Sequence, residues 1–178
     1  MVNDKSDGRF ISYYPDGKKE SEGWEVDGQA AGYWNYYDEL GNLDGRNYMV
    51  DGELSGYKME YYPNGIIFIE KKFYRGLLEE MRQFDSTGKL LVYDSFPKFT
   101  GNFLLLYPNG SKMQECRFVN GGFEGPLTQY YFDGSVEFIQ YYKGGLLDSN
   151  YTAYNFHHIK SAEGTYKAGK KNWNMEVL

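Results

Sequence analysis

Large apolar and aromatic side chains recur along this chain in short runs, each closed by a small polar turn. Runs of roughly eight residues with that punctuation read as β-strands, in which neighbouring side chains point to opposite faces of a sheet. The turns set the rhythm. "YYPDG" (13–17), "YYPNG" (61–65), "LYPNG" (106–110) and "YYFDG" (130–134) are copies of one unit. Proline fixes φ near about −65°, Asn or Asp tolerates bridge or left-handed backbone, and glycine supplies φ > 0. Each copy therefore predicts a hairpin closed by a type I turn with a glycine bulge.

The glycines fall into three columns: Gly8, Gly32, Gly56, Gly101, Gly125; Gly17, Gly41, Gly65, Gly88, Gly110, Gly134; and Gly28, Gly52, Gly76, Gly121, Gly145, Gly169. Constant spacing within these columns gives a period of 24 residues and seven units, starting near residues 8, 32, 56, 80, 101, 125 and 149. The third column carries companion turns such as "VDG" (26–28 and 50–52) and "VNG" (119–121). The fourth unit (80–100) is short, with Pro97 where its third glycine belongs. The seventh (149–178) has Ser149 and His158 in glycine positions and reads as a terminal cap. Residues 1–7 read as a polar tail before a single repeat domain over 8–178.

Two strands per repeat, reversed at every turn, predict an all-β fold: an open, twisted, single-layer antiparallel meander of consecutive β-hairpins, up to about 14 strands in one sheet. Four residues before each second-column position stand Tyr13, Tyr37, Tyr61, Phe84, Leu106, Tyr130 and Tyr154. That uniformly large column is expected on a packed face, interleaved with Met49, Phe73, Phe118, Tyr142 and Tyr166. The next position, with Tyr14, Tyr62, Tyr107 and Tyr131 among short polar residues, is expected on the face that meets solvent or a partner.

Aromatics at 19% and 22 glycines in 178 residues agree with many short strands and tight turns. The formal charge of −6 offers no footprint for nucleic acid. The lone Cys116 excludes an intrachain disulfide and has no histidine partner at a nucleophile's spacing. His157 and His158 are adjacent, hence on opposite faces of any strand, and fit a capping turn better than a metal site. No phosphate loop, dinucleotide fingerprint or nucleophile elbow is present. The chain is therefore expected to have no catalytic residues and no cofactor or metal. Its polar start and lack of long apolar runs make a soluble, cytoplasmic protein the expectation.

The pattern in "GYKMEYYPNGIIFIEKKFYRG" (56–76) and "GNFLLLYPNGSKMQECRFVNG" (101–121) resembles the MORN-repeat variant family over essentially residues 8–169. That resemblance implies an open sheet serving as a scaffold. Some bacterial members are described as antitoxin components of toxin–antitoxin pairs, so it also implies a protein partner, a toxin in the sharpest version. Self-association is the other use for exposed aromatic stripes. A weaker similarity of "YYFDGS" (130–135) to aromatic wall-binding repeats keeps membrane-lipid or cell-wall carbohydrate binding as the alternative. Tyr14, Tyr62, Tyr107 and Tyr131 are the candidate partner-binding residues, because tyrosine offers wide contact area with a polar tip.

Overall fold

The computed structural model describes residues 6–177, with side chains to residue 171. Residues 1–5 of the expected polar tail, and Leu178 at the end of the expected cap, lie outside the described residues. The chain forms β1 (Gly8–Tyr13), β2 (Lys19–Val26), β3 (Gln29–Tyr37), β4 (Leu43–Val50), β5 (Glu53–Tyr61), β6 (Ile67–Tyr74), β7 (Leu77–Phe84) and β8 (Leu90–Ser95). After a single-turn 3-10 segment (Pro97–Phe99) come β9 (Gly101–Leu106), β10 (Lys112–Val119), β11 (Gly122–Phe123), β12 (Gly125–Tyr130), β13 (Val136–Lys143), β14 (Leu146–Tyr154), β15 (Lys160–Lys167) and β16 (Lys170–Val177). Every strand pairing with a recorded register is antiparallel, as the hairpin pattern demands.

In place of one continuous sheet, the strands form two open sheets of eight, β1 to β8 in sequence order and β9 to β16. Contacts divide the chain into two units, Met1–Tyr93 and Asp94–Leu178. The ladder is interrupted in the fourth repeat, where Pro97 lacks an N–H and Lys98 and Phe99 come next with φ of 52° and 57°. Two consecutive left-handed residues cannot continue a strand. Asp94 Oδ2 then accepts a hydrogen bond from the Leu104 N–H at 2.9 Å, capping part of β9 with a side chain.

The turns explain the regularity. At the first, the Tyr14 N–H donates to the Lys18 carbonyl and the Gly17 N–H to the Tyr14 carbonyl, with Gly17 at φ 86°. The same two bonds recur at Asp38, Tyr62, Asp85, Tyr107, Tyr131 and Asn155, so all seven repeats share the bulged turn read from the sequence. Companion turns such as Asp27–Gly28 have both residues left-handed, φ 53° and 75°, the two-residue type I′ geometry. Their glycine amides also reach back one repeat, as from Gly52 to the Ala30 carbonyl at 3.0 Å.

In the first unit the registers place Ser21, Trp34, Ile69, Leu78, Met81 and Gln83 on one face, all buried, with Met81 and Gln83 at 0% exposure. The large-residue column does not line that face. Tyr13 is 59% exposed, and Tyr37 and Tyr61 stand with it on the opposite side. Nor do Met49, Phe73, Phe118, Tyr142 and Tyr166 interleave with that column. They pair in register with Gly32, Gly56, Gly101, Gly125 and Ser149, placing bulky groups where the partner strand has little side chain. In the second unit this row becomes the core: Phe118 packs against Phe96, Phe103 and Phe123, and Phe123 against Tyr142, at centroid distances of 4.7 to 6.1 Å.

Gly23 is required by packing. A Cβ there would lie 2.2 Å from the Trp34 ring, which lies flat on the bare backbone. Gly23→Ala is expected to destabilise the protein by about 1 to 3 kcal/mol through overpacking. Gly45→Ala, whose nearest neighbour would be 3.5 Å away, should stay within about 0.5 kcal/mol. Urea denaturation of the two variants beside the parent checks both.

Candidate functional site

Tyr14, Tyr62, Tyr107 and Tyr131 are the first residues of their turns rather than the last of their strands, so strand alternation does not govern them. Each is half-buried, and each hydroxyl donates to a backbone carbonyl of the following repeat: Tyr14 to Tyr37 (2.6 Å), Tyr62 to Phe84 (3.1 Å), Tyr107 to Tyr130 (2.7 Å), Tyr131 to Tyr154 (2.7 Å). These are staples between neighbouring hairpins. Repeats two, four and seven have Asp38, Asp85 and Asn155 at this place, and the side chain instead accepts N–H bonds inside its own turn, as Asp38 Oδ1 does from Leu40 and Asn42. Where the residue is tyrosine, the Asx two positions later does that work, as Asn64 Oδ1 does for Ile66.

Both faces of the first unit reach solvent, Phe10 and Tyr36 being exposed on the core side, but the opposite, more open face carries most of the exposed rings. Along its middle runs a register-matched ladder of Ile11, Glu22, Asn35, Arg46, Met59, Glu70 and Arg82. Its charges are satisfied across strands. Glu22 accepts from Arg9 (2.7 Å) and from the Tyr37 hydroxyl (2.6 Å) and lies 3.0 Å from Lys19. Arg46 donates to Asn35 and Arg82 to both Glu70 and Glu80, each at 2.8 Å. Beside this ladder lies a row of exposed rings: Trp24 and Tyr33, each 54% exposed, then Tyr48 and Tyr57. Tyr33 and Tyr48 are register partners stacked edge to face at 4.9 Å, and Tyr48 lies over Gly56 beside Tyr57. Arg46 sits 5.6 Å from the Tyr33 ring, so this surface already holds a guanidinium against an aromatic. Trp24 and Tyr48, like Tyr33 and Tyr57, stand one 24-residue period apart; sequence reasoning missed the row because the same two places hold Arg9, Lys72, Asn102 and Arg117 in other repeats, and only the registers show that the two places pair.

The second unit has a pocket of about 660 Å³ where β9, β10 and β12 meet, lined by Asp94, Asn102, Leu104, Glu115, Cys116, Arg117, Glu124 and Thr128 among others. Burial pushes the Cys116 thiol up to about 12, so it stays protonated at neutral pH rather than serving as a nucleophile. His158 occupies the glycine place of the last bulged turn at φ 62°, 3.9 Å from Asp133, while the His157 ring stacks on Phe156. Among the described residues no group of His, Cys, Asp and Glu could hold a metal ion, and no helix is long and apolar enough to cross a membrane.

Residues 6–23 match the MORN repeat variant family model. The matched segment is β1, its bulged turn and the start of β2, and it supports a MORN-type repeat scaffold. No curated protein matches the chain.

The staples make a direct prediction. Tyr107→Phe keeps the ring and removes one hydrogen bond, leaving the Tyr130 carbonyl short of a partner, and is expected to cost about 0.5 to 1.5 kcal/mol by chemical denaturation. A second concerns acid. The hydrogen bond from Tyr37, then those from Arg9 and Lys19, hold Glu22 down to about 2 from its ordinary 4.5. The folded value lies below the unfolded one, so this contribution is complete above about pH 4.5 and is lost as pH falls towards 2. Glu22→Gln should therefore flatten the acid limb of stability between those values while leaving the dependence above pH 5 unchanged, as read from melting temperature against pH.

Proposed function

We propose that the chain is a non-catalytic repeat scaffold that docks a protein partner on the open face of its first unit. The observation that carries this is the row Trp24, Tyr33, Tyr48 and Tyr57, large rings left exposed beside charges that already satisfy one another. Aromatics of this kind are the residues that dominate protein interfaces, because they bury much area at small entropic cost. A face with its charges paired in advance loses little by being covered. On this reading Tyr14 and Tyr62, at turns of the first unit, border the docking surface, while Tyr107 and Tyr131 stand at the same place in the repeats of the second unit. The four hydroxyls hold the hairpins in place, and the ring surfaces of Tyr14 and Tyr62 are what a partner along the turns would touch.

The finer version makes the partner a bacterial toxin and this chain the antitoxin or immunity component that occludes it; it is supported by the family resemblance alone. Chemical crosslinking of the tagged chain in its own host's lysate, read by mass spectrometry beside a Tyr33→Ala, Tyr48→Ala variant of checked melting temperature, tests the docking face. One protein crosslinked to the first unit and lost with the variant is the expected result. Equal recovery with both forms, or recovery of glycan or lipid only, would remove this face from the proposal. Expressing the captured partner with and without the chain then reads the toxin version: growth arrest relieved by the chain is the outcome it requires.

A further inference from the structure

The pocket of the second unit differs from the open face of the first in one respect: its donors are left over. Arg117 and Asn102 are register partners on β10 and β9, both exposed, and neither side chain has a hydrogen bond, ion pair or ring contact among the described residues. A register-paired Arg and Asn elsewhere, Arg46 and Asn35 of the first unit, bond to each other, although they stand two residues nearer the bulged turn than the places of Arg117 and Asn102. The carboxylates around Arg117 are committed elsewhere through one oxygen or both. Asp94 Oδ2 takes the Leu104 N–H, Glu124 Oε2 the Gly144 N–H at 2.8 Å, and Glu115 both the Tyr130 hydroxyl and Lys112.

The unspent hydrogen-bonding capacity is therefore of two kinds. A planar guanidinium and an amide offer donors matched to a carboxylate fork. The second oxygens of Asp94 and Glu124 offer acceptors to a cation. A bare anion would meet three carboxylates against Lys112 and Arg117, and a bare amine would meet the unpaired guanidinium, so a ligand with both signs fits where either alone does not. The cavity of about 660 Å³ is within the range of small-molecule sites. Burial raises the Asp94 carboxyl above its ordinary range, the direction expected of an acid still lacking a cationic neighbour.

We propose that this pocket binds a small zwitterion of the amino-acid class, its carboxylate on Arg117 and Asn102 and its ammonium towards Asp94 and Glu124. The site lies wholly within the second unit and stands or falls separately from the docking face of the first.

The test is a titration of the isotope-labelled full chain with each of the common free amino acids, monitored by amide shifts. The expected result is saturable binding of at least one, in the micromolar to millimolar range, centred on Asn102, Leu104, Arg117 and Thr128. Affinity should fall about tenfold or more when the same compound lacks its amino group, when it lacks its carboxylate, and in Arg117→Gln. Arg117→Lys should recover part of the loss, since charge survives but the fork does not. Tyr33→Ala in the other unit should change nothing. The proposal is overturned if no amino acid saturates these shifts, if the deaminated acid binds as well as the parent compound, or if Arg117→Gln binds as the unaltered chain does.

Discussion

A one-residue slip in strand register would carry Trp24, Tyr33, Tyr48 and Tyr57 from the open face of the first sheet to the buried one, and Ile69, Met81 and Gln83 the other way. Everything of functional interest in this molecule depends on that slip not occurring. What prevents it is the turn at each end of each strand. Seven bulged turns share one pair of backbone hydrogen bonds, and the companion turns demand two left-handed residues in succession, so each hairpin has one low-energy length. The staples from turn tyrosines to the next repeat then extend the same register from hairpin to hairpin.

With every strand's contacts made chiefly to its sequence neighbours, stability approximates a sum of hairpin terms and nearest-neighbour terms. The neighbour terms are uneven. Tyrosine staples join repeats one to two, three to four, five to six and six to seven, whereas the second repeat has the self-capping Asp38 and sends no staple across. Side-chain bonds such as Asn109 to the Phe132 carbonyl reinforce the stapled junctions further. The interface thus varies in strength along the array while the backbone pattern stays constant.

Much of the fold was legible in the chain because the turn residues are constrained one at a time: a proline, an Asx and a glycine in fixed order admit few conformations. The irregular fourth repeat was visible for the same reason, and the structure turns it into a division between two sheets at Phe96–Thr100. The faces were harder to read. Counting alternation through "YY" assumes that both tyrosines are in a strand, and the second of each pair already belongs to the turn. Trp34 over Gly23, the Tyr33 to Tyr57 row and the unpaired Arg117 depend on which residues stand opposite across strands. That pairing recurs from hairpin to hairpin, as in Arg9 with Trp24, Tyr33 with Tyr48 and Asn102 with Arg117, but it is set by a bulge whose place in the strand the turn residues do not announce.

The two ways of closing a bulged turn have a consequence for how such a chain can grow or shrink. A hairpin ending in Asp38 or Asn155 completes its turn with its own side chain and asks nothing of its neighbour, whereas one ending in Tyr107 needs a carbonyl in the right place on the next unit. Whole 24-residue modules could therefore be inserted or excised after a self-capped turn without orphaning a tyrosine staple. The self-contained turns are natural splice points, and the length of the array is adjustable there in steps of one hairpin.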